Sequence, residues 1–309
     1  MRKVFGIGET VFDIIFKDGQ PIGAVPGGSV FNGIISLGRT GVDTTFIGET
    51  GNDRIGRRIV AFLQENGVNA NNVKIYPGTK SPISLAFLDE KNDADYIFYK
   101  DHPHDQLDFT FPEIKPDDIV MFGSYYAINP VIRQQVYGFL NYARQQGAIL
   151  YYDVNFRAAH QHEVMKLTSN LLENLELSHI VRGSKEDFQV LFKKEDAERV
   201  YKSDISFYCK NFIYTQAAEP VKILTNILRK DYPVTKGNTV STIGAGDNFN
   251  AGLVYGLLKY NITLDSLIQG LTEEQWDGLI SCAQMFAAEC CKSINNYVSQ
   301  EFGERLQKQ

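Results

Sequence analysis

An α/β fold, with a parallel sheet covered on both faces by helices, is predicted from the order of patterns along this chain of 309 residues. Short β-like runs alternate with segments of helical periodicity, and several of the runs end in glycine or a polar residue. Parallel strands need a crossover connection, usually a helix, so this alternation favours a mainly parallel sheet. Right-handed crossovers place the strand ends along one edge, where ligands bind.

The predicted elements begin and end at recognisable signals. Asp53 is predicted to cap the second helix, Gly67 to end it, and Gly147 to end the third. The strands are predicted at residues 4–8, 44–48, 119–123, 149–153, 179–182 and 212–215, and the helices at residues 30–37, 54–66, 131–146 and 185–192.

Two hairpins interrupt the alternation. Residues 10–17 and 20–25 flank the turn-forming pair Asp18-Gly19, and residues 81–89 and 96–100 flank a second turn at residues 91–93. Hairpins inserted in an α/β chain need a place outside the main sheet. They predict a second, small β-sheet, although two solvent-exposed hairpins without a function are the alternative.

Composition excludes some classes of protein. The hydrophobic fraction of 43% can fill a large core, and the net charge of −6 argues against a general binder of nucleic acids or membrane surfaces. No apolar run approaches the roughly 20 residues that a membrane span needs. Four cysteines without Cys-x-x-Cys spacing are typical of buried thiols in a reducing compartment, which predicts a cytoplasmic protein.

A turn made of Gly244, Ala245 and Gly246 leads into a helix-periodic segment, with Asp247 at the junction. A helix start leaves N–H groups unpaired at the positive end of the helix dipole, so a turn without bulky side chains can hold a phosphate. Asp247 can then accept the proton of an attacking hydroxyl. The dipole predicts a lowered pKa for Asp247. A tight loop with an aspartate cap is the alternative interpretation.

A second glycine pair, Gly27-Gly28, opens another amphipathic stretch, which contains Asn32. Together, in this order and at this separation, the two segments resemble the paired signatures of the ribokinase-like carbohydrate kinases, also called the PfkB family, and within it the fructokinases. Three further segments, at residues 46–56, 153–157 and 182–187, are similar to the family's conserved segments. The resemblance covers nearly the whole chain.

The resemblance implies a three-layer αβα ribokinase-like fold, with a mainly parallel central sheet, as a single domain over residues 1–309. It also implies a small β-sheet lid formed by about residues 10–25 and 81–105, which closes over the sugar and often forms the contact of a homodimer. The expected ligands are a sugar, ATP and Mg²⁺.

The resemblance assigns roles to residues of this chain. Asp247 is the expected base, beside the anion-binding turn of Gly244, Ala245 and Gly246, and Arg157 is expected to stabilise charge on the transferring phosphate. The residues expected to hold the sugar are Asp13, Gly27, Gly28 and Asn32, and those expected on the nucleotide side are Ser184, Asp187, Thr215 and Asn295, with Asp187 contacting Mg²⁺ through water.

The chain departs from the family pattern at four places. Ser184 and Asp187 stand where the family usually has asparagine and glutamate, and Ser241 replaces an aspartate, which makes a potassium site doubtful. The segment after Thr215 lacks the usual glycines, and residues 295 and 296 are asparagines in place of Gly-Ala. The purine side is therefore the part of the site that the resemblance defines least.

Fructose, phosphorylated at O6 by ATP, is the acceptor that the resemblance favours. The alternatives are a nucleoside or a 2-keto-3-deoxy sugar acid, for which Lys100 is the candidate cation, and a non-catalytic sugar-binding regulator. One packing prediction concerns the helix after Asp247. Gly252 and Gly256 each cost roughly 1 kcal/mol relative to alanine, which predicts a close approach of this helix to the sheet.

Overall fold

The computed structural model describes residues 2–90, 94–99, 107–234, 237 and 239–308. The strands are short, and they alternate with helices along most of the chain. The strands are β1 (Val4–Ile7), β2 (Val11–Lys17), β3 (Gln20–Gly27), β4 (Thr44–Gly51), β5 (Val68–Tyr76), β6 (Ile83–Leu88), β7 (Ala94–Tyr99), β8 (Ile119–Gly123), β9 (Ile149–Asp153), β10 (Ile180–Ser184), β11 (Phe212–Thr215), β12 (Val221–Leu224) and β13 (Arg229–Tyr232).

The helices connect these strands and cover the sheet. A 3-10 helix at Ala158–Glu163 and a π-helical turn at Tyr201–Ile205 supplement them. The α-helices are α1 (Ser29–Arg39), α2 (Arg54–Glu65), α3 (Ser124–Ile128), α4 (Arg133–Gln145), α5 (Val164–Leu177), α6 (Lys185–Phe192), α7 (Ala197–Val200), α8 (Ala245–Lys259), α9 (Leu264–Gln269), α10 (Glu273–Cys290) and α11 (Gln300–Gln307).

In the part of the chain that the structure describes, nine strands form one large sheet in the order β13-β12-β11-β10-β9-β8-β1-β4-β5. All neighbours are parallel except at one edge, where β11, β12 and β13 pair antiparallel. The predicted α/β class and the mainly parallel sheet are therefore confirmed. The predicted strands and helices agree with the observed ones to within one or two residues at most ends.

Each face of the large sheet carries its own hydrophobic core. Successive residues of one strand point to opposite faces, so Tyr151 belongs to one core and Tyr152 to the other. The first core contains Phe31 and Trp276, from helices on its side of the sheet, and the second contains Phe139. These two cores make the helix, sheet and helix layers of the predicted ribokinase-like fold.

The two predicted hairpins form a separate four-stranded sheet, in the order β3-β2-β6-β7, which we call the small sheet. Its hairpins are antiparallel, and β2 and β6 join them in parallel. Phe16 stacks on Phe87 with ring centroids 5.0 Å apart, which ties the two hairpins together. The predicted turn at 91–93 and residues 100–105 of the predicted lid lie outside the described residues.

The glycines of α8 were predicted to bring this helix close to the sheet, and that prediction was wrong, because they contact another helix. A Cβ at Gly252 would clash with the carbonyl of Cys282 and lie 2.7 Å from Cα of Ala283, and a Cβ at Gly256 would lie 3.0 Å from the side chain of Leu279. All three of these residues are in α10. The glycines allow two helices to approach closely on one face of the sheet, rather than bringing α8 close to the sheet.

Candidate active site

A cavity of about 430 Å³ lies between the small sheet and the strand ends of the large sheet. A volume of this order suits a small molecule with several polar groups. Glu9, Ser124 and Asn155 follow strands β1, β8 and β9, so the large sheet supplies them along one edge. Most of the predicted sugar and phosphate residues line the same cavity: Asp13, Gly28, Asn32, Arg157, Gly244 and Asp247.

The turn before α8 has the geometry that its glycines predict. Gly244 adopts a left-handed conformation, with φ of 73°, and a Cβ there would lie 2.8 Å from the carbonyl oxygen of Asn296. Glycine therefore meets both a conformational and a steric need. Ala245 and Gly246 begin the helix, and the first helical turn presents backbone N–H groups that have no intrahelical acceptor.

Asp247 is fixed by two side chains from the start of α1. Ser29 donates from Oγ to Oδ1 of Asp247 at 2.9 Å, and Asn32 donates from Nδ2 to Oδ2 at 2.8 Å. Each carboxylate oxygen keeps a lone pair for a further donor. Ser29 was missed in the sequence, although its spacing of three residues from Asn32 places both side chains on one helix face.

The predicted direction of the Asp247 pKa was wrong. Burial at the base of the cavity raises the pKa of Asp247 to about 7, against hydrogen bonds from Asn32 and Ser29, and the charge of Asp153 raises it further. Arg157 acts in the opposite direction. Loss of hydration therefore outweighs the favourable helix terminus. Asp247 consequently has a pKa suited to a base that works near neutral pH.

Gly27 and Gly28 leave space for neighbouring polar groups. Gly28 has φ of 131°, and a Cβ there would clash with the carbonyl of Glu9. A Cβ at Gly27 would clash with the carboxylate of Asp13. The glycine pair thus lets the chain pass directly over Asp13 before α1 begins.

Asp13 points from β2 into the cavity and is buried. Ser84 of the small sheet donates a short hydrogen bond to its Oδ1, and Asn296 donates from Nδ2 to its Oδ2 at 3.0 Å. Burial raises the pKa of Asp13, while these two donors and the charge of Arg157 lower it. Sequence reasoning missed Ser84 and Asn296, because neither lies near Asp13 in the chain.

Arg157 reaches the cavity from the segment after β9. Its guanidinium lies over the ring of Tyr96, with Cζ 5.1 Å from the ring centroid, so it contacts the small sheet. In the same segment Asn155 has a positive φ of 36°, an uncommon conformation for a residue other than glycine. This bend carries the chain from the end of β9 to Arg157.

Arg182 is a basic residue beside the glycine turn that precedes α8. It donates from Nη1 to Asp153 at 2.9 Å and from Nη2 to Oγ1 of Thr215 at 2.7 Å. A Cβ at Gly246 would lie 3.3 Å from Nη2 of Arg182, so the guanidinium abuts the first turn of α8. Its Nε is buried and has no hydrogen-bond partner among the described residues.

Ser184 and Asp187 form the cap of α6. Ser184 accepts from the backbone N–H of Asp187, and Oδ2 of Asp187 accepts from the backbone N–H of Ser184 at 2.6 Å. Oδ1 of Asp187 accepts from the backbone N–H of Phe156 at 2.7 Å. Burial and the neighbouring Asp153 raise the pKa of Asp187 to about 6, against the charge of Arg182. Asp187 is therefore held at the start of α6, close to Asp153 and Arg182.

Asn295, which the sequence predicts on the nucleotide side, and its neighbour Asn296 lie in different environments. Asn295 is exposed, whereas the adjacent Asn296 is buried and contacts Asp13. Ser241 is also buried, and its Oγ accepts from the backbone N–H of Ile243 at 3.2 Å. Within the described ranges, no cluster of three or more histidine, cysteine, aspartate and glutamate side chains could hold a metal ion.

Comparison with known proteins agrees with this geometry. Residues 1–300 match the model of the pfkB family carbohydrate kinases. A probable fructokinase-6 of Arabidopsis thaliana is 25% identical over 287 residues, covering 91% of this chain and 72% of the relative. A 5-dehydro-2-deoxygluconokinase of Geobacillus thermodenitrificans is 27% identical over 262 residues, covering 75% of this chain and 72% of the relative.

Two solved structures show the same fold. A fructokinase from Vibrio cholerae, in its form with fructose, ADP and calcium ion, superposes with a TM-score of 0.83 at 20% identity, covering 99% of both chains. An aminoimidazole riboside kinase from Salmonella enterica, complexed with aminoimidazole riboside and an ATP analogue, superposes with a TM-score of 0.81 at 21% identity, again over 99% of both chains.

The family match and the fold define a ribokinase-like carbohydrate kinase, and the glycine-led starts of α1 and α8 and the residues at the strand ends agree with it. Enzymes of this class transfer a phosphoryl group from ATP to a sugar hydroxyl. The chain belongs to the pfkB family of carbohydrate kinases. Separately, none of the helices among the described residues is both long and apolar enough to span a membrane.

Proposed function

We propose that this kinase phosphorylates fructose at O6, with Asp247 as the base. The observation that carries this proposal is the position of Asp247, which lies at the base of the cavity and is held at both oxygens by Ser29 and Asn32. The held carboxylate can accept the proton of a sugar hydroxyl while the adjacent first turn of α8 receives the phosphoryl group.

A neutral polyhydroxylated acceptor suits the charges of the cavity. Among the described residues, three carboxylates line it, from Glu9, Asp13 and Asp247, and ionised carboxylates can only accept hydrogen bonds. A sugar hydroxyl supplies the donor that each carboxylate needs. Glu9 already accepts from Ser124, at 2.8 and 3.1 Å, and its carboxylate oxygens keep lone pairs for a further donor. An acidic sugar would instead bring a fourth negative group into this space.

A sugar acid is the second candidate. Arg157 supplies a positive charge to the cavity, and one of the relatives is named 5-dehydro-2-deoxygluconokinase. Arg157 already contacts Tyr96 and is the residue we propose for the phosphate. Lys100, the cation considered from the sequence, lies outside the described residues. The charges of the described lining residues therefore favour fructose over the acid.

The phosphate side fits a nucleotide. Nη2 of the Arg182 guanidinium would lie 3.3 Å from a Cβ placed at Gly246, so Arg182 brings positive charge to the turn where we propose that the phosphate binds. Bound ATP supplies the phosphoryl group, and its Mg²⁺ neutralises the phosphate charge. We propose that Asp187 contacts this Mg²⁺ through water, since magnesium keeps several waters and needs few protein carboxylates. We also propose that Ser184, Thr215 and Asn295 serve the nucleotide side.

We further propose that two copies associate through the small sheet. Asp13, Ser84 and Tyr96 mark the face of this sheet that points to the cavity. On the opposite face, Phe87, Ile97 and Tyr99 are 37%, 46% and 54% exposed. An apolar face of this kind is stabilised when a second chain covers it.

A cytoplasmic location is also proposed. Cys209, Cys282 and Cys290 are buried free thiols, and Cys291 is a partly buried one, as expected in a reducing compartment.

An acceptor panel tests the proposed function. ADP release is measured with fructose, other hexoses, nucleosides and 2-keto-3-deoxygluconate at fixed ATP and Mg²⁺. We expect the highest kcat/KM with fructose. A higher value with the sugar acid would support the second candidate, and sugar binding without ADP release from any acceptor would support a non-catalytic regulator.

A further inference from the structure

Asn296 joins the sugar side of the cavity to the phosphate side. It lies in the segment between α10 and α11, is only 2% exposed and lines the cavity. Its side chain donates from Nδ2 to Asp13, and its backbone oxygen accepts from Nδ2 of Asn248 at 2.8 Å. The same Nδ2 of Asn248 donates to the carbonyl of Gly244, also at 2.8 Å. Asn296 therefore contacts Asp13, the carboxylate expected to bind the sugar, and is linked through Asn248 to Gly244 in the turn before α8.

The position of Asn296 is fixed by its neighbours. Tyr297 donates from its hydroxyl to the carbonyl of Pro26, and the N–H of Val298 donates to Oγ of Ser36 at 3.2 Å. Gly27 leaves the space in which Asp13 and Asn296 meet, because a Cβ there would also lie 3.2 Å from Nδ2 of Asn296. The amide is thus held rigidly, as a binding group must be.

Among the residues that the structure describes, the amide oxygen of Asn296 has no hydrogen-bond partner. Nδ2 points to the Asp13 carboxylate, which accepts hydrogen bonds, so Oδ1 is the atom left on the other side. This Oδ1 is buried and accepts no hydrogen bond from the part of the chain that the structure describes. Buried polar atoms nearly always have a partner, and an orphan acceptor in the wall of a ligand cavity indicates a donor on the ligand.

We infer that Asn296 is a specificity-determining residue, whose Oδ1 accepts a hydrogen bond from one hydroxyl of the acceptor sugar. This inference rests on the proposed sugar substrate. It adds Asn296 to the residues expected to bind the sugar, which are Asp13, Gly27, Gly28 and Asn32. Asn32 provides a precedent within the same cavity. Its Nδ2 donates to Asp247, and its Oδ1 is likewise buried with no partner in the described ranges. The two amides present a pair of fixed acceptors to a polyhydroxylated ligand.

The test is a double-change cycle, in which one change removes the side chain from the protein and the other removes a hydroxyl from the substrate. The kcat/KM values of wild type and Asn296→Ala are measured with the acceptor sugar and with each of its monodeoxy analogues. A site built to bind a hydroxyl rejects the analogue that lacks it. We expect wild type to discriminate at least about 10-fold against one analogue, and Asn296→Ala to lose that discrimination at that position alone, mainly through KM.

Asn211→Ala is the matched control, because Asn211 is also a buried asparagine, with Nδ2 donating to the carbonyl of His179. Asn211 directly precedes β11, so it lies at the amino ends of the strands, away from the cavity at their carboxyl ends. Its replacement should leave every analogue ratio unchanged. Asn296→Ser, which shortens the side chain but keeps it polar, carries the same expectation if the alanine variant does not fold.

Unchanged ratios for every analogue in a folded Asn296 variant would overturn the inference. If wild type does not phosphorylate fructose, the proposed substrate fails. The cycle is then run on the sugar that the acceptor panel identifies, so the two failures are distinguishable.

Discussion

Asn32 donates from Nδ2 to Oδ2 of Asp247 across 2.8 Å and 215 residues of sequence. This bond joins the first turn of α1 to the first turn of α8, so the two glycine-led helix starts face one another. Asp247 is thereby oriented by the helix that also follows the sugar-side glycines. The same bond therefore positions the proposed base and the proposed sugar-binding residues together.

The raised pKa of Asp247 predicts a pH dependence. A base must be deprotonated, so kcat/KM for the sugar should fall by about tenfold per pH unit below about pH 7. Initial rates at saturating MgATP measure this acidic limb. In Asp153→Asn, loss of a neighbouring negative charge should move the limb to lower pH. An unmoved limb would mean that Asp247 is not the group that titrates.

Protein stability should follow the same ionisation. The folded carboxyl binds its proton more tightly than the unfolded one, so its contribution to stability is fully present below about pH 4 and is lost as the pH rises through about 7. Unfolding free energies should therefore show wild type losing stability relative to Asp247→Asn between these values. An equal pH dependence in the two proteins would contradict the raised pKa.

Potassium should activate this kinase little. Ser241 stands where the resemblance to the family implies an aspartate, and its Oγ accepts from the N–H of Ile243. A neutral hydroxyl provides much weaker attraction for a cation than a carboxylate does. Rates in KCl are compared with rates in tetramethylammonium chloride at constant ionic strength. A large, saturable activation by K⁺ would show that the site works without the carboxylate.

Sugar binding should order the small sheet. Asp13, Ser84 and Tyr96 bring three of its strands to the cavity, so a bound sugar should favour a closed form that excludes water. Amide exchange at residues 10–25, 81–90 and 94–99 should slow on addition of fructose, and Asn32→Ala should weaken fructose binding and this protection together. Unchanged exchange in both hairpins would rule out closure by this sheet.

The close contact of α8 with α10 predicts a stability change. Gly252→Ala gains helix propensity of about 1 kcal/mol, but its Cβ has no space beside Cys282 and Ala283, and overpacking costs about 1–3 kcal/mol. We expect a net loss of stability in chemical denaturation. Gly138→Ala in α4 is the control, since its Cβ would meet only an ordinary contact, at 3.7 Å from Phe111. Equal effects of the two changes would contradict the packing argument.

The sequence was sufficient where local patterns decide the structure. The alternation of strands and helices, the turn at Asp18-Gly19 and the glycine-led starts of α1 and α8 each depend on neighbouring residues, and each is present. The resemblance to the kinases then placed Asp13, Asn32 and Asp247 in one site, and the structure brings them to one cavity.

The remainder depended on distant contacts. Asn296 meets Asp13 across 283 residues, and no local pattern distinguishes it from the exposed Asn295. A glycine pair in a helix permits close packing without saying whether a sheet or a helix approaches, which explains the error at Gly252. The pKa of Asp247 depends on a balance between the helix terminus and lost hydration, and only the depth of the cavity decides it.

The most direct test of the account follows the reaction of ATP and fructose by ³¹P NMR with wild type and with Asp247→Asn. We predict that wild type forms fructose 6-phosphate and that Asp247→Asn lowers kcat by roughly 10²-fold or more, since general-base catalysis is of that size, while fructose binding survives. Formation of fructose 6-phosphate by Asp247→Asn at close to the wild-type kcat would contradict the assignment of Asp247 as the base.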